Sequence, residues 1–102
     1  MEWEGAIADY LSACAWYMTL PSRLQRLVEQ FPPGSQWRLR SQSIHHLAQI
    51  ESRVIGECDC FVPVSFTGRG QIDVMQYDGL TGLPILQDPW RVRPVDLIPL
   101  AH

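Results

Sequence analysis

The chain of 102 residues contains no lysine and no asparagine. All eight of its basic residues are arginine, set against eleven acidic ones, which gives a formal charge of -3 and a pI near 5.4. That balance excludes a global electrostatic pull toward nucleic acid or anionic lipid and leaves any such binding to a local patch. No apolar run approaches the ~20 residues that span a bilayer, because the longest uncharged early stretch, Tyr10 to Ser22, is interrupted by Ser12, Thr19 and Pro21. Glu2 and Glu4 stand where a secretory leader would carry positive charge, so no signal peptide is expected. Cysteine is scarce and odd in number, and Cys58 and Cys60 are too close along the chain for an easy disulfide. A reducing, bacterial cytoplasm is the expected setting. Also missing are a GxSxG elbow, a phosphate loop, a dinucleotide fingerprint and an HExxH pair, and with them the direct signatures of the common hydrolases, kinases and dehydrogenases.

What the chain does have is 46% apolar residues against 19% charged, enough to bury a core without disulfide staples and incompatible with intrinsic disorder. Residues 1–33 predict two helices. In the first, Trp3, Ile7, Tyr10, Leu11, Cys14, Tyr17 and Met18 form one apolar stripe, while Trp16 falls opposite it beside Asp9 and Ser12. The second has Ser22 as its expected N-cap with Gln25 as capping-box partner, an i, i+3, i+4, i+7 face of Leu24, Leu27, Val28 and Phe31, and a stop at Pro32, Pro33 and Gly34.

After Gly34 the hydrophobic period changes from 3.6 toward 2. Strands are predicted at Gln36 to Arg40, around Cys58 to Phe66, at Gln71 to Tyr77 and at Trp90 to Arg93, with a hairpin turn at Thr67 to Gly70 and an extended tail from Pro94 to Leu100. In the second of these, Cys58, Cys60, Val62, Val64 and Phe66 share one face by strict alternation. Ser43 to Glu57 reads as a short helix passing into a strand near Ser52. The expected fold is α+β: one domain over residues 1–102, helical in 1–33 and mainly β in 34–102, with two N-terminal helices packed on a small, strongly bent antiparallel sheet or a partly open SH3-like barrel.

Trp37-Arg38-Leu39-Arg40 is echoed by Trp90-Arg91-Val92-Arg93. On strands, both put the Trp and the aliphatic residue on one face and two Arg on the other. If barrel closure makes these strands neighbours, Arg38, Arg40, Arg91 and Arg93 form one basic face able to grip carboxylates or phosphates through bidentate contacts, unless Asp59, Asp73 or Asp96 pairs with them first. His45 and His46 with Cys58 and Cys60 have the wrong spacing for a closed zinc site, since adjacent His side chains diverge and Cys-x-Cys on a strand supplies two thiols only. No metal and no cofactor is expected, and the two cysteines are expected to pack as small apolar residues in line with Val62 and Val64. The same residues supply the types for Cys–His catalysis but not its geometry.

The expected function is therefore a small non-catalytic protein-interaction module, an accessory subunit or regulatory adaptor, binding a protein partner or forming a homodimer through its first helix. Trp16, Arg38, Arg40, Arg91 and Arg93 are the expected binding residues, since Trp and Arg are frequent anchors of interfaces. A small barrel binding nucleic acid or phosphate through the two WRxR strands is the alternative, a Cys-based enzyme or redox protein the third possibility, and no membrane role is expected.

Overall fold

The computed structural model describes residues 17–100. The stripe of the first predicted helix up to residue 16, including Trp16, lies outside the described residues. Among those described, α1 (Ser22–Gln30), β1 (Trp37–Leu39), α2 (Ser41–Glu51), β2 (Cys60–Phe66), β3 (Ile72–Tyr77), β4 (Trp90–Val92), a 3-10 turn (Pro94–Asp96) and β5 (Leu97–Pro99) follow in that order. The architecture is mixed α+β. Its five strands make one antiparallel sheet of order β4-β3-β2-β1-β5 that does not close into a barrel.

Helix α1 forms where the apolar spacing predicts it. Val28 and Phe31 are buried and Leu24 and Leu27 half-buried on the sheet side, while Arg23, Arg26, Glu29 and Gln30 face solvent. Its start differs from expectation: Pro21, not Ser22, occupies the N-cap position and accepts the Gln25 backbone N–H at 2.9 Å, while the Gln25 side chain donates to the Leu20 carbonyl. The proline carbonyl suffices for that first bond, and its missing N–H is not needed there. Phe31 closes the helix onto the Leu27 carbonyl and stacks tilted against Trp37, ring centroids 4.6 Å apart. Full burial of a side chain this size contributes about 2 kcal/mol.

The core is the inner face of the sheet: Leu39, Phe61, Ile72, Val74, Trp90, Val92 and Leu97, with Phe31 from α1 laid on it. The WRxR alternation is realised in both strands, for Leu39, Trp90 and Val92 are buried, Trp37 is half-buried, and all four arginines are exposed. In β2 the expected face is inverted. Phe61 and Pro63 face inward, opposite the buried Gln76 and Val74, so Cys60 and Val62 point outward and Cys58, before the strand, is exposed. A bulge between Pro63 and Ser65 then shifts the register by one, which returns Phe66 to the inner face opposite Ile72. Strict alternation from Cys58 to Phe66 fails because it is anchored at Phe66, beyond the bulge, and one inserted residue exchanges the two faces.

Helix α2 ends at Ser52, whose φ of 53° is left-handed and turns the chain out of the helix. No strand follows. Residues 53–59 form a loop whose backbone is held by side chains, with Gln76 donating to the Val54 carbonyl and Asp59 accepting from the Gly56 N–H. Among the described residues no helix is long and apolar enough to cross a membrane.

Candidate functional site

Asp59 is the hinge pin of one end of the molecule. It is buried, and its carboxylate accepts from the Gly56 N–H (2.8 Å), the Gly79 N–H (3.0 Å) and the Gln76 amide (2.6 Å). The buried Gln76 amide in turn accepts from the indole N–H of the fully buried Trp90 at 3.0 Å. Three polar side chains thus satisfy one another inside the fold and fasten the loop 53–59 to the loop 78–89. The fastening is close, since a Cβ on Gly79 would lie 2.0 Å from the Cys58 carbonyl oxygen, so only glycine lets the two backbones meet there. The second loop is also folded on itself: Asp78 N–H bonds to the Leu83 carbonyl, Gly82 N–H to that of Asp78, and Ile85 N–H to that of Gln76.

Between the two loops lies a groove of about 670 Å³ lined by Val54, Leu80 and Ile85 on its apolar side and by Glu57, Asp59 and Asp78 on its acidic side. The loops that wall it display aliphatic side chains to solvent: Val54 is 87% exposed, Leu80 92%, Leu83 64% and Leu86 88%. The backbone N–H groups of Thr81 and Leu80 bond to the Asp78 carboxylate and hold its pKa below the usual aspartate value, and Glu57 has no ion-pair partner among the described residues. The one cation lining the groove among the described residues, Arg53, is already engaged: its guanidinium lies 3.9 Å from the Trp90 ring centroid and bonds to Glu51, Gln87 and the Asp88 carbonyl.

The arginines of the WRxR pair are arranged differently from expectation. Their strands are not neighbours, because β2 and β3 stand between β1 and β4, and it is β5 that pairs with β1. The expected pairing of the first WRxR strand with the second is not realised; the strand beside β1 is the Leu97–Pro99 tail, which the sequence shows only as an extended stretch after Pro94. Arg91 makes a bidentate pair with Asp73 (2.9 and 3.3 Å), and Arg93 lies 3.5 Å from Asp96. Hydrogen bonding to Arg91 is the main cause that lowers the Asp73 pKa and raises that of Arg91 itself. Arg40 donates from Nε to the Val95 carbonyl at 2.6 Å, and the Arg38 guanidinium has no hydrogen-bonding or ionic partner among the described residues.

Three of the four are nonetheless drawn to one corner by the 3-10 turn. Arg40 and Arg93 line one shallow cavity and Arg91 and Arg93 the next, with His46, Ser43 and Asp96 common to both. Asp96 ties this corner together: burial pushes its pKa up, but bonds from the Arg93 N–H (2.8 Å) and the Ser43 hydroxyl (2.7 Å), with the Arg93 guanidinium, outweigh burial and leave it lowered.

His46 thus belongs to the arginine corner and Cys58 to the groove, so the structure does not bring these two together. Among the described residues no group of three or more His, Cys, Asp or Glu is placed to hold a metal ion. The expected burial of the cysteines is overturned, Cys58 being exposed and Cys60 half-buried, because the inner face of β2 belongs to its odd-numbered residues before the bulge. Sequence reasoning missed the groove itself. Its available signal was Leu80, Leu83 and Leu86 within a stretch otherwise rich in Gly, Pro and Asp, where a solvated turn has no use for three leucines. Comparison with protein-family models, with curated proteins and with solved structures finds no match to this chain.

Proposed function

We propose that the chain is a small non-catalytic protein-interaction module whose binding face is the groove between the loops 53–59 and 78–89. The observation that carries this reading is the exposure of Val54, Leu80, Leu83 and Leu86 on loops that the Asp59–Gln76–Trp90 network holds in place. Exposed aliphatic side chains gathered on a rigid support mark a contact surface, since leaving them in water gains nothing for folding. The support is best described as a bent, partly open SH3-like sheet. A flat sheet would hold β4 and β5 about 19 Å apart, four strand spacings of roughly 4.8 Å. Only four residues, Arg93 to Asp96, join Val92 to Leu97, and even fully extended the five steps between those two reach at most about 18 Å. Curvature that brings the edge strands together accounts for the short link and for the shared packing of Val92 and Leu97 in one core.

A polyanion-binding role for the WRxR strands has less support, because Arg91 and Arg93 are paired with Asp73 and Asp96. The test is capture of partners from native extract with the intact chain and with the variant Leu80→Ser/Leu83→Ser/Leu86→Ser. A partner held by the intact chain and lost by a variant of unchanged thermal midpoint is expected. Identical capture by both removes these loops as the binding face.

A further inference from the structure

Resting on that reading, we infer that the groove takes a cationic amphipathic segment of another protein, its aliphatic side chains against Val54, Leu80 and Ile85 and its Lys or Arg side chains against Glu57 and Asp78. Charge complementarity selects this occupant. Among the described residues three carboxylates line the groove, Glu57, Asp59 and Asp78, and the single lining cation, Arg53, already faces Glu51 and the Trp90 ring. Asp59 is committed to Gly56, Gly79 and Gln76, which leaves Glu57 and Asp78, neither of them in an ion pair among the described residues, as the groups able to receive a partner's charge. An acidic segment would meet two uncompensated carboxylates at the groove wall, and like charges brought together at an interface oppose binding. A purely apolar segment would cover Leu80 and Val54 but leave those carboxylates dehydrated without partners. A segment with aliphatic residues on one side and cations beside them meets both requirements. The self-supported backbone of the 78–89 loop gives it a preformed surface, which lowers the ordering cost of association.

Three fluorescein-labelled helical peptides of 14 residues serve as probes: one of Leu, Ala and Lys in amphipathic order, one with every Lys replaced by Gln, and one with every Lys replaced by Glu. Fluorescence anisotropy measures affinity, and amide chemical-shift changes in the 15N-labelled full chain locate the peptide. The Lys peptide is expected to bind and to shift Val54, Leu80 and Ile85. Glu57→Gln with Asp78→Asn, which keeps the side-chain acceptor bonded to Leu80 and Thr81, is expected to weaken it about tenfold, the worth of two exposed ion pairs. Glu29→Gln on α1 is expected to leave it unchanged. Equal affinity of the Lys and Gln peptides for the groove overturns the charge inference and leaves the interaction face standing. Shifts confined to residues outside the two loops overturn it as well. Failure of all three peptides overturns the inference while partner capture still depends on Leu80, Leu83 and Leu86. If capture is also indifferent to those leucines, both readings fall.

Discussion

The two ends of this sheet are each tied by one buried aspartate, and the two aspartates are satisfied in different ways. Asp59 is held by two backbone N–H groups and a neutral amide, with no ion-pair partner among the described residues, and around it stand exposed aliphatic side chains. Asp96 is held by one backbone N–H and a hydroxyl with the Arg93 guanidinium nearby, and around it stand exposed arginines. A carboxylate bonded to fixed, neutral donors works as a clamp, since it fixes backbone geometry at several points. One beside flexible guanidinium groups mainly neutralises charge, because their long side chains can turn to water at little cost. The Asp59 end is therefore the rigid platform, and the Asp96 end is a charge-balanced corner.

The sharpest way to break this contrast is to remove the clamp. Asp59→Ala leaves the Gly56 and Gly79 N–H groups without an acceptor and the buried Gln76 amide with the Val54 carbonyl alone, and is expected to cost about 3 kcal/mol in denaturant unfolding. Amide exchange should accelerate in both 53–58 and 78–87. A cost under about 1 kcal/mol would mean that the loops hold their places without it. Asp96→Ala, which frees the Arg93 N–H and the Ser43 hydroxyl near solvent, is expected to cost less, about 2 kcal/mol by the same measurement. If the order of the two losses is reversed, the contrast between clamp and corner is wrong.

Acid titration sharpens the corner. Asp73, Asp78 and Asp96 all have native pKa values below their ordinary value of 3.8, so the unfolded chain binds more protons as that range is entered. Their stabilisation is then full above that ordinary value and is lost as pH falls below it through the native values. Stability measured from pH 6 to pH 2 should decline below about pH 4.5, and Asp96→Asn should flatten the decline. A variant that loses stability with the same slope as the parent would show that Asp96 does not titrate in this range. The smallest effects belong to the leucines and the outer arginines. Each single change of Leu80, Leu83 or Leu86 to Ser should alter stability by no more than about 0.5 kcal/mol, as exposed positions do. Arg38→Ala should leave the thermal midpoint indistinguishable from the parent, because an unpaired exposed guanidinium contributes little, while Arg91→Ala, which removes the bidentate partner of Asp73, should cost no more than about 1 kcal/mol.

Local features were legible in the chain. The apolar face of α1, the stop at Pro32–Gly34, the Thr67–Gly70 turn and the WRxR alternation all follow from propensities acting within a few residues, and each is realised. The phase of β2 was not legible. It depends on an unpaired residue at the bulge, whose presence is decided by how β2 and β3 meet and not by the composition of either strand.

Of the candidate residues, Arg38, Arg40, Arg91 and Arg93 could be assigned to an outward face from alternation alone. Their neighbours could not, because strand order is set by which non-local pairings bury the most apolar surface, and the short Leu97–Pro99 strand takes the place beside β1 that the echo suggested for β4. The groove is the clearest case of a tertiary decision. Asp59, Gln76, Gly79 and Trp90 are spread over more than thirty positions, and as isolated residues they read as a loop acid, a strand amide, a turn glycine and a core aromatic. Sequence determined the helix face, the turns and the inside–outside pattern of the arginine strands, since those depend on periodicity along the chain. Tertiary structure alone decided that a buried carboxylate would join two loops and hold Val54 and Leu80 beside Glu57 and Asp78, because a hydrogen-bond network becomes favourable only once packing has removed water from all its members together.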